Sequence, residues 1–273
     1  MKTFIKRTLF GAIYAIVVFC SIFLGPFAFG LLVFVFLIFS LKEYQNFLNK
    51  ADIHLKTFWF YASNILLYLF GFLASSYGWP LKYYIFPVII VYIPFVFQVL
   101  LKNSRPFHET GQYLVSHFYL AVPLSLLSYL FQLGVKAGYW INFAVFGFFL
   151  LIWVNDSFAY IVGSVFGKHK LNRIVSPNKT WEGSIGGLVF TLLGSYLLYL
   201  IFPEQGLFEW LGFALIIVIF GTFGDLFESV AKRGIMIKES GNILPGHGGM
   251  LDRLDSLLIA SPFVFVYFLI IMN

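Results

Sequence analysis

Residues 229–255 read SVAKRGIMIKESGNILPGHGGMLDRLD, and this stretch sets the polar part of the chain against its apolar bulk. Of 273 residues, 60% are hydrophobic and only 11% charged, yet Lys232, Arg233, Lys238, Glu239, His247, Asp252, Arg253 and Asp255 crowd into it. Just upstream, Asp225 and Glu228 stand three residues apart, and Asp252 and Asp255 repeat that spacing downstream. On a helix each pair shares a face. Like charges that close repel unless something positive lies between them, and a hard cation with oxygen ligands, typically Mg2+ and with room for a second cation, meets that need. Between the pairs runs Leu244-Pro245-Gly246-His247-Gly248-Gly249, whose glycines permit positive φ and let backbone N–H groups close on an anion. Carboxylates, a glycine turn and the cations Lys232, Arg233, Lys238 and Arg253 together describe a polyphosphate site. The plainer reading is a solvated connection, against which the carboxylates at the flanking helix ends weigh. His247 alone argues little, since a histidine between glycines is ordinarily a solvated loop residue.

The stretch resembles the signature of the phosphatidate cytidylyltransferases, also called CDP-diglyceride synthases. That signature runs Ser-x-hydrophobic-Lys-Arg, four residues, Lys-Asp, then Pro-Gly-His-Gly-Gly-hydrophobic-x-Asp-Arg-hydrophobic-Asp. Two positions depart from it: Ala231 replaces a bulkier apolar residue, and Glu239 replaces Asp.

Outward from this segment, the 21% aromatic content and the apolar excess describe an all-α, polytopic integral membrane protein. With about 20 apolar residues needed per span, nine spans are expected at 9–24, 27–41, 58–77, 84–101, 113–135, 140–160, 185–202, 207–227 and 254–272. The first two are joined through Gly25-Pro26, which predicts a tight helical hairpin or a re-entrant pair. The first apolar run passes into the second without a small-residue cleavage site, so no cleavable signal is expected. The single cysteine, Cys20, precludes an intrachain disulfide and reads as a small packing residue.

A net charge of +6 would suggest a nucleic-acid partner in a soluble protein, but here its division between loops is the informative quantity, and no nucleic acid is expected. With a cytoplasmic N-terminus, 16 of the 18 Lys and Arg residues fall inside and only Lys82 and Lys136 outside, which satisfies the positive-inside rule. Asn273 is then outside, and the polar segment faces the cytoplasm of a multi-pass protein of the cell (inner) membrane. Residues 1–110 are assigned to packing, lipid or subunit contact, with a homodimer as the assembly such spans would serve. Residues 111–273 are assigned to the catalytic region. Loop 102–109 is basic and reads as a positive-inside connection.

A second polar constellation follows the sixth span. Asn155-Asp156-Ser157 is expected to close that span, where an intramembrane carboxylate is functional by default. The segment Ser176-Pro177-Asn178-Lys179-Thr180-Trp181-Glu182-Gly183 is suited to opening a helix, because Pro177 fixes φ and its polar neighbours can cap exposed N–H groups. Helix openings also bind phosphate. The same family carries Asp-Ser/Thr-x-Ala-Tyr and later Ser-Pro-x-Lys-Thr-x-Glu-Gly, matched here by 156–160 and 176–183.

The resemblance implies transfer of a cytidylyl group from CTP to phosphatidic acid, giving CDP-diacylglycerol and pyrophosphate. Asp225, Asp252 and Asp255 are then the expected metal ligands, supported by Glu228 and Asp156. Lys179, Lys232 and Arg233, with Asp225 and Asp252, form the expected catalytic set. Ser176, Asn178, Lys179, Thr180, Lys232, Arg233, Lys238, Gly246, His247, Gly248, Gly249 and Arg253 are the expected substrate contacts, with CTP, phosphatidic acid and membrane lipids as partners. Two alternatives stay open: a CTP-dependent lipid-alcohol kinase, in which Asp156 or His247 would act as the base, and a membrane ion or anion transporter. No paired repeats with broken helices occur, as a transporter of that kind would show.

Overall fold

Long runs of Phe, Leu, Ile and Val must pair their own backbone N–H and C=O groups when lipid surrounds them, and a helix does so within one segment. The computed structural model describes residues 2–77, 79, 85–100, 106–135, 142–172, 175–237, 240–241 and 248–271, and the long apolar runs among them are helical. In chain order they are α1 (Lys2–Leu24), α2 (Pro26–Lys50), α3 (Thr57–Tyr77), α4 (Ile85–Leu100), α5 (Pro106–Ser116) and α6 (Val122–Val135). A π-helical turn, His117–Ala121, joins α5 to α6. There follow α7 (Phe143–Phe166), strands β1 (Lys170–Asn172) and β2 (Ser176–Thr180), α8 (Trp181–Ile201), α9 (Leu207–Gly234) and α10 (Leu251–Ile271).

Among the described residues, seven helices are long and apolar enough to cross a membrane, and Leu9–Leu24 and Phe86–Val96 are two shorter apolar stretches. They fall on the nine segments expected from hydropathy. Large apolar side chains such as Leu31, Leu193 and Ile219 stay exposed along these helices, as a lipid-facing surface requires. The chain is an all-α polytopic membrane protein that carries, among the described residues, one small β-hairpin.

Several expected boundaries move, for one reason. Hydropathy marks where apolar side chains end, whereas a helix runs on until a cap or breaker stops it. So α9 continues past residue 227 to Gly234 and carries Glu228, Lys232 and Arg233 on the helix itself. Similarly α7 runs beyond Asp156 to Phe166, so Asp156 does not close its helix, and Glu109 belongs to the first turn of α5 rather than to a loop. Segment 176–180 does not open a helix. It is extended and pairs antiparallel with β1, Lys170 opposite Thr180 and Asn172 opposite Ser176, an arrangement the fixed φ of Pro177 tolerates. The helix starts one residue later, with Thr180 Oγ1 as its cap accepting from the Gly183 N–H at 3.1 Å.

The chain forms two compact units. One comprises Met1–Gln132 with Glu239–Arg253, the other Leu133–Lys238 with Leu254–Asn273. In the first, Gly25 at φ +104 turns the chain sharply ahead of Pro26, as the expected hairpin requires. Polar side chains then tie its helices together in an apolar setting. Tyr68 of α3 donates to Gly30 O at 2.6 Å and meets Ser128 of α6 at 3.1 Å, while Asn64 donates to Ser116 at 3.0 Å. In the second unit, α7 and α8 approach at Gly183, where a Cβ would stand 2.6 Å from Ala159 O. Rings of Phe143, Phe202, Trp210, Phe213 and Phe268 fill its aromatic core, with Trp210 Nε1 donating to Phe202 O at 3.2 Å.

Candidate active site

In the second unit the charged residues gather on α7, β2, α9 and α10. Gly224 of α9 lies against the backbone of α10, where a Cβ would collide with Asp255 O, and this contact brings the neighbouring carboxylates of the two helices together. The charges of Asp225, Glu228 and Asp156 all bear on Asp255, which is half-buried. Lysines provide the compensation. Lys179, on β2, forms an ion pair with Asp225, and Ser229 Oγ reaches the other oxygen of that carboxylate at 3.5 Å. Lys232 meets Glu228 one helical turn earlier at 2.8 Å, with side-chain exposures of only 12% and 5%. A pair this far out of water holds only because the attraction between the two charges offsets the hydration each has lost.

The β-hairpin that carries Lys179 is itself held by a carboxylate. Glu182, in the first turn of α8, accepts from the backbone N–H groups of Lys168 and His169 and contacts the His169 ring at 2.6 Å. Trp181 N–H donates to His169 O at 2.9 Å. Ser176 is half-buried, Asn178 exposed and Thr180 buried as the cap of α8. Arg233, exposed at the end of α9, donates from Nη1 to Ile237 O at 3.0 Å.

In the first unit the described part of the glycine turn uses its N–H groups differently from the phosphate cradle expected of it. The Gly249 N–H donates to Asp252 Oδ2 at 2.8 Å, and the Ser240 N–H donates to the same oxygen at 3.2 Å. Gly248 adopts φ +83, and a Cβ there would stand 2.9 Å from that carboxylate. Asp252 thus braces the turn at the start of α10, while Arg253 next to it is exposed. Lys238, Glu239, Gly246 and His247 lie outside the described residues.

One residue escaped the sequence reading. Glu43 of α2 is 1% exposed, and its two oxygens accept from the N–H groups of Met250 and Leu251, each at 2.9 Å. The sequence offered little signal, because Glu43 lies just past the apolar run 27–41, beside Lys42 and close to Gln45 and Asn46 in the polar C-terminal part of α2, where an acid reads as a solvated helix end.

The donor chemistry of Asp156, Asp225, Glu228 and Asp255 suits a hard cation such as Mg2+. Among the described residues, however, no three His, Cys, Asp or Glu side chains converge on one ion position. Asp225 and Glu228 face ammonium groups instead.

Comparison with known proteins agrees with the motifs. The model of the cytidylyltransferase family matches residues 5–271. A phosphatidate cytidylyltransferase of Staphylococcus saprophyticus is 39% identical over 177 residues, which is 64% of this chain and 65% of that protein. One of Staphylococcus aureus is 38% identical over 176 residues, again 64% of this chain and 65% of its own. The chain thus spans about two thirds, 65%, of the length of these staphylococcal relatives. A phosphatidate cytidylyltransferase of Bacillus subtilis is 33% identical over 273 residues, 97% of each chain. With a match running almost from end to end, this chain belongs to the cytidylyltransferase family.

Proposed function

We propose that the protein transfers a cytidylyl group from CTP to phosphatidic acid, giving CDP-diacylglycerol and pyrophosphate. The observation that carries this reading is the ion pair between Lys179 and Asp225, which joins the polar segment after α7 to the one ending α9. A phosphate-binding cation and a metal-binding carboxylate held in contact suit a site that takes up a metal nucleotide, each finding a new partner when it arrives.

The chemistry asks for little proton transfer. The lipid phosphate is already an oxyanion; one of its oxygens bonds to the α-phosphorus of CTP, and the bond from that phosphorus to the pyrophosphate oxygen breaks. Pyrophosphate leaves with the electron pair, and no base is needed. The work left to the protein is alignment and neutralisation of charge. Lys179 would leave Asp225 for a phosphate oxygen, Asp225 and Asp255, with Asp156, are the residues that would hold the metal, and Arg233 would be a further phosphate contact. Lys232 stays with Glu228 and screens the cluster. When bound, Mg2+ supplies positive charge at the α-phosphorus and at the leaving pyrophosphate.

The deciding experiment is turnover of labelled CTP by the purified protein with phosphatidic acid and, in parallel, with diacylglycerol. Metal-dependent CDP-diacylglycerol and pyrophosphate from phosphatidic acid alone are expected. Phosphorylation of diacylglycerol would establish the kinase instead, and no consumption of CTP would return the transporter. The nine-span topology, with the site facing the cytoplasm of the cell membrane, is read by cysteines near Ser176 and Gly241 after replacement of Cys20. Both should label only from the cytoplasmic side, and one added after Asn273 only from outside. A homodimer, the assembly expected of the apolar N-terminal spans, is read by light scattering of the purified protein in detergent.

A further inference from the structure

The N-terminal helices are apolar and their motifs are few, yet one of them reaches into the glycine-rich signature. Glu43 sits on α2, a 25-residue helix apolar enough to cross a membrane, and is 1% exposed. A carboxylate so placed is costly unless its oxygens are satisfied. Here Oε1 accepts from the Met250 N–H and Oε2 from the Leu251 N–H, both at 2.9 Å. Leu251 is the first residue of α10, so these are N–H groups that the helix cannot pair internally. A negative charge at this end also complements the helix dipole.

The turn is shaped around that carboxylate. At Gly249 a Cβ would stand 2.6 Å from Glu43 Oε2, and at Gly241 it would collide with Glu43 Oε1. Gly249 donates its own N–H to Asp252. Three successive N–H groups, those of Gly249, Met250 and Leu251, are therefore committed to two carboxylates, and together these set where α10 begins. That start carries Asp252 and Arg253.

We infer that Glu43 is a positioning residue for the reaction: it fixes the first turn of α10, and with it the Gly248–Asp252 turn, in the arrangement that turnover requires. The role rests on the cytidylyl transfer proposed above, and it makes α2 part of the working apparatus rather than packing alone. It is specific to a carboxylate, because only that group presents two acceptors. An amide would turn one N–H2 donor toward a backbone N–H donor.

The test uses the purified full chain and three variants, Glu43→Gln, Glu43→Asp and Gly241→Ala. Two readouts are taken: amide exchange over the peptide holding Met250 and Leu251, and kcat for pyrophosphate release from CTP with phosphatidic acid. Glu43→Gln should speed exchange there on the order of tenfold or more. Its kcat should fall on the order of tenfold to a hundredfold, as a small misplacement at a reaction centre does. Glu43→Asp, which keeps the charge on a shorter stem, should recover part of kcat. Gly241→Ala should reproduce the glutamine phenotype, because it pushes the carboxylate from its seat while leaving Glu43 in place. Wild-type exchange in Glu43→Gln, or wild-type kcat despite faster exchange, overturns the inference. So does a lower KM for CTP in that variant, which would make Glu43 a competitor of the triphosphate. If Glu43→Gln fails to fold, exchange and kcat of Gly241→Ala decide. If the wild-type protein releases no pyrophosphate, the proposed activity fails, and the exchange arm still reports whether Glu43 holds the turn.

Discussion

In the second unit Asp225 and Glu228 face the ammonium groups of Lys179 and Lys232, whereas in the first unit Asp252 and Glu43 face backbone N–H groups. The same acidic side chain is thus compensated in two ways, and the two differ in what they allow. An ammonium rides on a flexible four-carbon stem and can leave a carboxylate for a phosphate without moving the backbone. A backbone N–H cannot change partner unless the loop itself moves. The more exposed Lys179–Asp225 pair is therefore suited to exchanging partners during turnover, the buried Lys232–Glu228 pair to fixed charge compensation, and the N–H-paired turn to holding a shape.

The largest effect should come from splitting the most buried pair. Lys232→Met strands Glu228, and a loss of roughly 3–5 kcal/mol in unfolding free energy is expected. The double variant Lys232→Met with Glu228→Gln should recover much of it. Equal stability of single and double variants would place the pair among exchangeable partners.

Next is Asp225→Asn, which should lower kcat on the order of 10²–10³-fold. Because Asp225 and Lys179 are about one-third exposed, at 33% and 27%, melting should change by less than about 1 kcal/mol. Near-normal kcat would remove Asp225 from the ligand set and leave it only a tether for Lys179.

Lys179→Ala should follow, with kcat down on the order of tenfold to a hundredfold and melting nearly unchanged. Lys179→Arg should restore only part, since a planar fork does not replace a compact ammonium. A large fall in melting temperature with unaltered kinetics would make β2 a structural strand alone.

Asp252→Asn sharpens the contrast from the other side. It should lower kcat by about tenfold and also speed amide exchange at Ser240 and Gly249, because the lost acceptor frees both N–H groups. Asp225→Asn should leave that exchange untouched. If Asp252→Asn lowers kcat without changing exchange, Asp252 acts on substrate or metal directly rather than through the turn.

Much of this protein was settled by residue type and spacing. The membrane class follows from the number of apolar side chains per segment, because a lipid environment admits only helices there or closed barrels. Both polar segments and nearly every charged member of the candidate site stood out against an apolar background. Two things were not legible, and both depend on distance in space rather than along the chain. The partners of the carboxylates are one: that Asp225 meets Lys179 follows from β2 pairing with β1 instead of opening a helix. The other is Glu43, whose hydrogen bonds span 207 and 208 residues. Hydropathy leaves it just past the apolar run 27–41, beside Lys42, and only tertiary packing could decide that its two oxygens meet the two N–H groups at the start of α10. Composition sets which groups must find partners, and the fold alone determines which ones they find.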